Sequence, residues 1–507
     1  MKSIFLLLTF ICFSFTTQSQ VINNTRNSAI LSGKILHYDK NIPLTAHIQQ
    51  IGLGSIPVKI EVDSTGNFYQ NVPVNYSTEA YIIYKTSFII LIQPQDTLNF
   101  ILDGSTNLIS QVLESIQFKG NRAETNQGIT FFQKMYFSND KRNKLSSERL
   151  AAAKNLDHKE YKEYLKDESR IENLIYEDFI NNIQPNEESK QWVNTNITNE
   201  YYNRLRSYAR DHAEENKLST FDSSWIIPPF YYTQLKERLP ITTAELNNVQ
   251  SINSFANGFR YYISECLEKE NKQVEQWGRL PAGNLYGPPE ILDSLLLTGI
   301  IQFVPDTLLR QIMLTQHFNN SLENQNIKPY ENMYAIVDKY ITLPFLKIPL
   351  HTLYIETKAR IENPKLYSEA VLKEALSSEV KEIFKEILAN NKGKVVYMDV
   401  WATWCGPCLE QMPNSKKLEQ NFKDKNVSFV YLCVNSDKAK YLATLDKLQL
   451  GGQHYFLTNQ QSRDLFKMFD MPGIPYYILV DKEGTIKEQG NHLRPDMMYS
   501  KFQKMEL

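Results

Sequence analysis

Two cysteines separated by two residues, Cys405 and Cys408 in "DVWATWCGPCLEQMP" (399–413), carry the clearest chemical potential in this chain. They stand behind an apolar strand-like run and in front of a helix-like one. Three chemistries compete for such a pair. Zinc needs four ligands, typically from a second pair of similar spacing, whereas Cys266 and Cys433 are isolated. A purely structural disulfide across so short a loop constrains the unfolded chain very little. A pair that cycles between dithiol and disulfide needs a stabilised thiolate, and the first turn of a helix supplies free backbone N–H groups and the positive end of the dipole. Cys405 occupies that position. Pro407 fits the first helical turn without losing a hydrogen bond, and Gly406 is expected to let the loop turn tightly. Cys408, one turn further in, is expected to be the more buried, which makes Cys405 the attacking nucleophile and Cys408 the resolving thiol.

The elements around the pair alternate. A helix-like "SSEVKEIFKEILANN" leads into strand "KVVYMDVWA", the cysteine-bearing helix, strand "VSFVYLCVN", helix "DKAKYLATLDKL", strand "HYFLT", helix "QSRDLFKMFD", strand "PYYILVD", a turn at "KEG", strand "TIKEQG" and a last helix. Strands alternating with helices predict parallel pairing with helices on both faces, and the hairpin across "KEG" predicts an antiparallel edge.

"DVWATWCGPC" together with "GIPYYILVDKEG" resembles the thioredoxin superfamily, and within it the secreted TlpA-like disulfide reductases, over residues 370–507. Trp401 and Trp404 flank the pair as in that family, and Pro413 falls where the family's helix is kinked. The resemblance implies a cis peptide bond at Ile474-Pro475 lying against the cysteines, with Ile474 pairing to an incoming peptide. The substrate-contacting set it implies is Trp404, Gly406, Pro407, Ile474 and Pro475. Asp399 matches the family's buried acid beneath the resolving cysteine. Inside the apolar "VVYMDV" a carboxylate has its pKa raised by desolvation, so it can take a proton from Cys408 and return it later. The other reading of Asp399 is a strand-end residue reaching solvent. "DKAKYLATLDKLQLGGQ" resembles the extra strand–helix insertion of the TlpA-like branch. His454 after it reads as structural, and Cys433 and Cys266 read as inert thiols.

Strong oxidants of this fold stabilise their reduced form with added donors to the thiolate, whereas Gly406-Pro407 brings no side-chain donor. That favours a disulfide reductase acting on disulfide-containing proteins; a disulfide oxidase or isomerase is the alternative. No G-x-G-x-x-G follows a strand, so no nicotinamide or flavin cofactor is expected, and no metal. The implied electron source is a separate membrane protein that donates dithiol equivalents. A peroxidatic P-x-x-x-T-x-x-C would need Pro and Thr where Met398 and Ala402 stand.

The remaining sequence frames this domain. "MKSIFLLLTFICFSFTTQSQ" pairs Lys2 with an apolar run that is short of the ~20 residues spanning a bilayer, and reads as a signal peptide (1–20). Export to the periplasm or cell envelope is expected, with the mature chain soluble. Five cysteines in 507 residues, Cys12 among them in the signal peptide, are too few for a disulfide scaffold. A formal charge of -2 gives no pointer to nucleic acid or an anionic membrane. At ~150 residues per domain the length predicts about three domains. Short alternating runs over 28–117 predict an antiparallel β-sandwich, similar to modules ahead of redox domains in secreted Bacteroidetes proteins, with Asp63 of "DSTGN" a turn residue rather than a Ca²⁺ ligand. Residues 118–368 read as helical, with runs near 200–217, 243–271 and 289–317 and proline breaks at "IIPPF", "RLPAG" and "YGPPE". The thioredoxin-like domain takes 370–507. The first two units could instead bind a partner at the cell surface, the redox domain serving that partner.

Overall fold

A computed structural model describes residues 27–218, 228, 231–271, 274, 287–375 and 377–505. The segment read as a signal peptide lies outside them, as does "RLPAG" and all of "IIPPF" but Pro228.

The first strands build two four-stranded sheets. One has the order β4 (Asn67–Pro73), β1 (Ser28–Leu36), β7 (Thr97–Asp103), β8 (Gln117–Gly120); the other β3 (Ser55–Ile60), β2 (Leu44–Gln49), β5 (Thr78–Tyr84), β6 (Thr86–Ile92). Alternation in "SAILSGKIL" sends Ala29, Leu31 and Ile35 inward. There they share one cluster with Phe100 of the same sheet and Ala46, Ile48, Ile82 and Ile90 of the other. The expectation of purely antiparallel pairing fails at one place: β1 runs parallel to β7. The chain switches between the sheets after β4, so β7 re-enters beside β1 by a crossover instead of a hairpin. Asp63 is a turn residue whose Oδ1 accepts N–H bonds from Thr65 (2.8 Å) and Asn67 (2.9 Å). The Thr65 hydroxyl, which donates to the same oxygen at 2.7 Å, and then the Asn67 N–H hold its carboxyl below the usual range, and no cluster of three metal-ligating side chains occurs among the described residues.

The middle of the chain is helical, and four of its helix starts are marked by capping residues: Asn139, Asp157, Asn186 and Asp306 each accept a backbone N–H of the first turn. The run expected over 289–317 is two helices, Pro289–Phe303 and Thr307–Glu323. Pro305 lies between them, and Asp306 restarts the second by accepting Leu309 N–H at 2.7 Å. Glu168 and Glu172, both fully buried, face Arg204, whose Nη2 is 2.9 Å from Glu172 Oε1. These paired charges fix the register of helices His158–Ile183 and Glu187–Glu215, because either one unpaired would be strongly unfavourable.

The sheets and the helices interlock. The loop between β2 and β3 places Ile51, fully buried, in the helical core. Asn253 clamps that loop, its Oδ1 accepting Gly52 N–H (2.8 Å) and its Nδ2 donating to Gln50 O (2.9 Å). Gly52 has φ +72, and a Cβ there would lie 2.8 Å from Thr315, so the close approach requires glycine.

The last segment forms a six-stranded sheet of order β14 (Ile486–Gly490), β13 (Tyr476–Val480), β10 (Val395–Trp401), β11 (Val427–Cys433), β12 (Gly452–Phe456), β9 (Ala370–Lys373). Strands β10, β11, β12 and β9 are parallel; β13 is antiparallel to β10 and β14 to β13. Edge strand β9 escaped the sequence reading because it is four residues long and has no fully buried position. Among the described residues no helix is long and apolar enough to cross a membrane.

Candidate active site

Every residue of β10 is buried, which carries the chain through the sheet centre and delivers its end to the cysteine loop. Polar contacts then shape the loop. Cys405 N–H donates to Ala402 O (3.1 Å) and Val434 N–H to Trp401 O (2.9 Å). Thr403 N–H donates to Ser436 Oγ (3.1 Å), and Trp404 Nε1–H to Asn435 O (2.7 Å). Segment 434–436 after β11 therefore braces the approach to the pair, with Asn435 in the left-handed region (φ 45). The sequence reading missed it; its only signal was "NSD" directly after an apolar strand.

Cys405 is the N-cap of the helix Gly406–Phe422, and its Sγ accepts Cys408 N–H at 3.3 Å. The two are joined in a disulfide with their Cα atoms 5.3 Å apart. Cys408 is the more buried, but the difference is small: 1% exposed against 4% for Cys405. The asymmetry of the pair lies in position at the helix end rather than in open access. Gly406 does not turn the loop through an unusual backbone, since it has no left-handed φ and a Cβ there would meet nothing within 4 Å. Trp404 is 61% exposed beside the pair, and Gly406 and Pro407 are exposed. The Ile474-Pro475 bond is cis. Tyr476, the next residue, pairs with Val400, so this bond lies level with the end of β10 where the cysteine loop begins.

Asp399 is 1% exposed. Burial pushes its carboxyl up to about 8, the Ser415 hydroxyl beside it offsetting a little of that, and neither oxygen is held by a hydrogen bond of ordinary geometry. In the sheet Asp399 pairs with Tyr431 on one side and Tyr477 on the other, and Tyr431 pairs with His454. A row of polar side chains thus crosses the sheet on one face. His454, read as structural, is enclosed in that row: its ring stacks on Tyr431 at 4.9 Å, its Nε2 lies 2.7 Å from Gly451 O, and burial lowers its pKa to about 4. Cys433 is fully buried and its thiol is pushed up to about 12 by burial. Cys266 lies in the helix Val249–Glu270, its pKa also raised by burial.

A family model described as Redoxin matches residues 385–504. The C-terminal domain belongs to the thioredoxin superfamily, in its TlpA-like branch. The thioredoxin-like domain is 28% identical over 102 residues to the thiol-disulfide oxidoreductase ResA of Bacillus thuringiensis, covering 20% of this chain and 57% of that protein. It is 34% identical over 108 residues to the chloroplastic thioredoxin-like protein HCF164 of Arabidopsis thaliana, covering 21% of this chain and 31% of that one. Among solved structures it is similar to a putative thiol-disulfide oxidoreductase of Bacteroides vulgatus (36% identity, 23% of this chain and 74% of that one, TM-score 0.20). A thioredoxin domain of a thiol-disulfide oxidoreductase from the same species matches at 26% identity, 24% and 84% coverage and TM-score 0.23. The chain spans just over half the length of the ResA relatives.

Proposed function

We propose that this chain is an extracytoplasmic protein thiol–disulfide oxidoreductase that works as a disulfide reductase through its CGPC pair. The observation that carries this reading is the Cys405–Cys408 disulfide at the first turn of a helix, with Cys405 as the cap. The Cys408 N–H and the helix end stabilise a Cys405 thiolate, which attacks a substrate disulfide. One substrate sulfur leaves as a thiol and the other stays bonded to Cys405. Cys408 gives its proton to Asp399 and attacks the Cys405 sulfur, closing the internal disulfide and releasing the second substrate thiol. A membrane dithiol donor then returns the pair to its reduced form. Trp404, Gly406, Pro407, Ile474 and Pro475 form the face that meets the substrate.

Residues 1–20 act as the signal peptide in this reading, 28–117 as a β-sandwich, 118–368 as a helical domain and 370–507 as the redox domain. The helix Lys438–Leu448, within the insertion, packs against the helix Pro344–Glu362, and Gln449 Nε2–H donates to Lys365 O at 2.8 Å. That contact supports an active site held in a defined orientation to the helical domain rather than trailing on a tether.

The redox potential of the chain lacking residues 1–20 tests the direction of electron flow. A value near the ~-270 mV of thioredoxin is expected; one near the ~-120 mV of DsbA would make the protein an oxidant.

A further inference from the structure

Asp399 is shut away from water, yet in the proposed reaction it gains a proton in every turnover and must lose it again. Around it, Tyr397 directs its hydroxyl to Leu493 O (2.6 Å) and the Tyr477 hydroxyl has no partner. On the β11 side the polar groups continue outward. Tyr431, the register partner of Asp399, donates its hydroxyl to Glu419 Oε1 at 2.8 Å. Glu419 Oε2 accepts Gly451 N–H at 3.1 Å. Glu419 belongs to the same helix as Cys408, and with Cys408, Met412 and Ser415 it follows the three- and four-residue spacing of one helix face. The buried Ser415 hydroxyl, also without a hydrogen-bond partner, lies on that face between Cys408 and Glu419.

Two further features place this carboxylate against the β12 backbone and beside a recess. Gly452 has φ +79, and a Cβ there would lie 2.8 Å from Phe429 O and 2.9 Å from Glu419 Oε1, so the β12 backbone passes close to both. The carboxylate also lines a recess of about 260 Å³ with Glu369, Lys416, Lys423 and Tyr367.

We propose that Glu419 is the group through which Asp399 exchanges its proton with solvent, along the Ser415 and Tyr431 hydroxyls. This rests on the redox reading of the cysteine pair. When Cys408 closes the disulfide, its S–H bond breaks and the proton goes to Asp399. The Cys408–Cys405 bond forms as the Cys405–substrate bond breaks, and the electron pair leaves on the substrate sulfur, which is protonated from water. The proton left on Asp399 passes to the Glu419 carboxylate and then into the recess. Glu419 acts through Asp399 and is a positioning residue. Burial raises its pKa to about 7, against about 8 for Asp399, so the transfer runs between nearly matched groups. The groups facing it are the Tyr431 hydroxyl and Gly451 N–H, with Glu369 raising its pKa and Lys416 lowering it; His454, stacked on Tyr431, is held neutral above about pH 4.

The test is the Glu419→Gln variant of the full mature chain, whose amide still accepts the Tyr431 hydroxyl. Mixed-disulfide formation by Cys405 should stay within about twofold, while steady-state insulin reduction falls roughly tenfold at neutral pH. The wild-type rate should rise with pH through two ionisations, near 7 and near 8. The variant should keep only the upper one. Tyr431→Phe should lose the same limb, and infrared detection of the protonated Asp399 carboxyl after a pH jump should show roughly tenfold slower loss in both variants. An active Glu419→Gln protein with the wild-type pH profile and proton-loss rate, whatever its melting temperature, overturns the inference alone. A wild-type protein without disulfide exchange overturns the redox reading and this inference together.

Discussion

The Cys405 sulfur accepts the backbone N–H of Cys408 at 3.3 Å, so the cap of the helix and the proposed nucleophile are the same atom. Cys408 sits one turn inside the helix and is without that terminal field. Cys408→Ala should therefore accumulate covalent complexes through Cys405 that dissolve in dithiothreitol, whereas Cys405→Ser should trap at least about tenfold less. Non-reducing gels of envelope extracts read the difference and yield the substrates. Equal trapping by both variants would reverse or remove the assigned roles.

Asp399→Asn should slow substrate release by roughly 100-fold while leaving the first attack unchanged, because it removes the proposed base and not the proposed nucleophile. Stopped-flow measurement of the two phases separates them, and unchanged release would take Asp399 out of the mechanism.

The same substitution has a pH-dependent effect on stability. The Asp399 carboxyl is pushed up to about 8 by burial, so the folded state holds the proton more tightly than the unfolded chain. Its stabilising contribution is complete below about pH 4 and is lost as pH rises through 8. Asp399→Asn should accordingly be more stable than wild type at pH 9, by about 2–4 kcal/mol, and nearly equal to it at pH 4. Urea unfolding of the oxidised proteins at the two pH values checks the sign; a gain larger at pH 4 would refute it.

Cys433→Ser and Cys266→Ser should keep insulin reduction within about twofold, since burial suppresses both thiolates. The Cys433 change should still lower stability by about 1–2 kcal/mol, as a hydroxyl replaces a fully buried thiol. Loss of activity on replacing Cys433 would break the two-cysteine mechanism.

Two contacts between units of the chain should differ in weight. Lys447 and Glu323 pair at the surface, 38% and 44% exposed, and Lys447→Ala should change stability by less than about 0.5 kcal/mol. Asn253→Ala strips partners from Gly52 N–H and Gln50 O where the β2–β3 loop enters the helical core, and should cost about 1–3 kcal/mol. Chemical denaturation with a probe in each unit distinguishes them. Equal effects would mean that the loop is not what joins the sheets to the helices.

The sequence alone determined the parts of this protein that depend on near neighbours. The strand–helix alternation after residue 370, the cysteine pair at a helix start and an aspartate inside an apolar strand are set by periodicity, capping and proline chemistry within a few residues. Tertiary structure decided what depends on register and packing between distant segments. Tyr431 and Glu419 were invisible as part of the site because a tyrosine in a strand and a glutamate in a helix are ordinary residues; only the Asp399–Tyr431 pairing of β10 with β11, under the helix Gly406–Phe422, makes a path of them. The parallel β1–β7 pair, the entry of Ile51 into the helical core and the bracing of Trp404 by Asn435 arise in the same way. Each joins residues whose local sequences are equally content without the other, and the partner is chosen when burial of whole faces fixes how the elements stack.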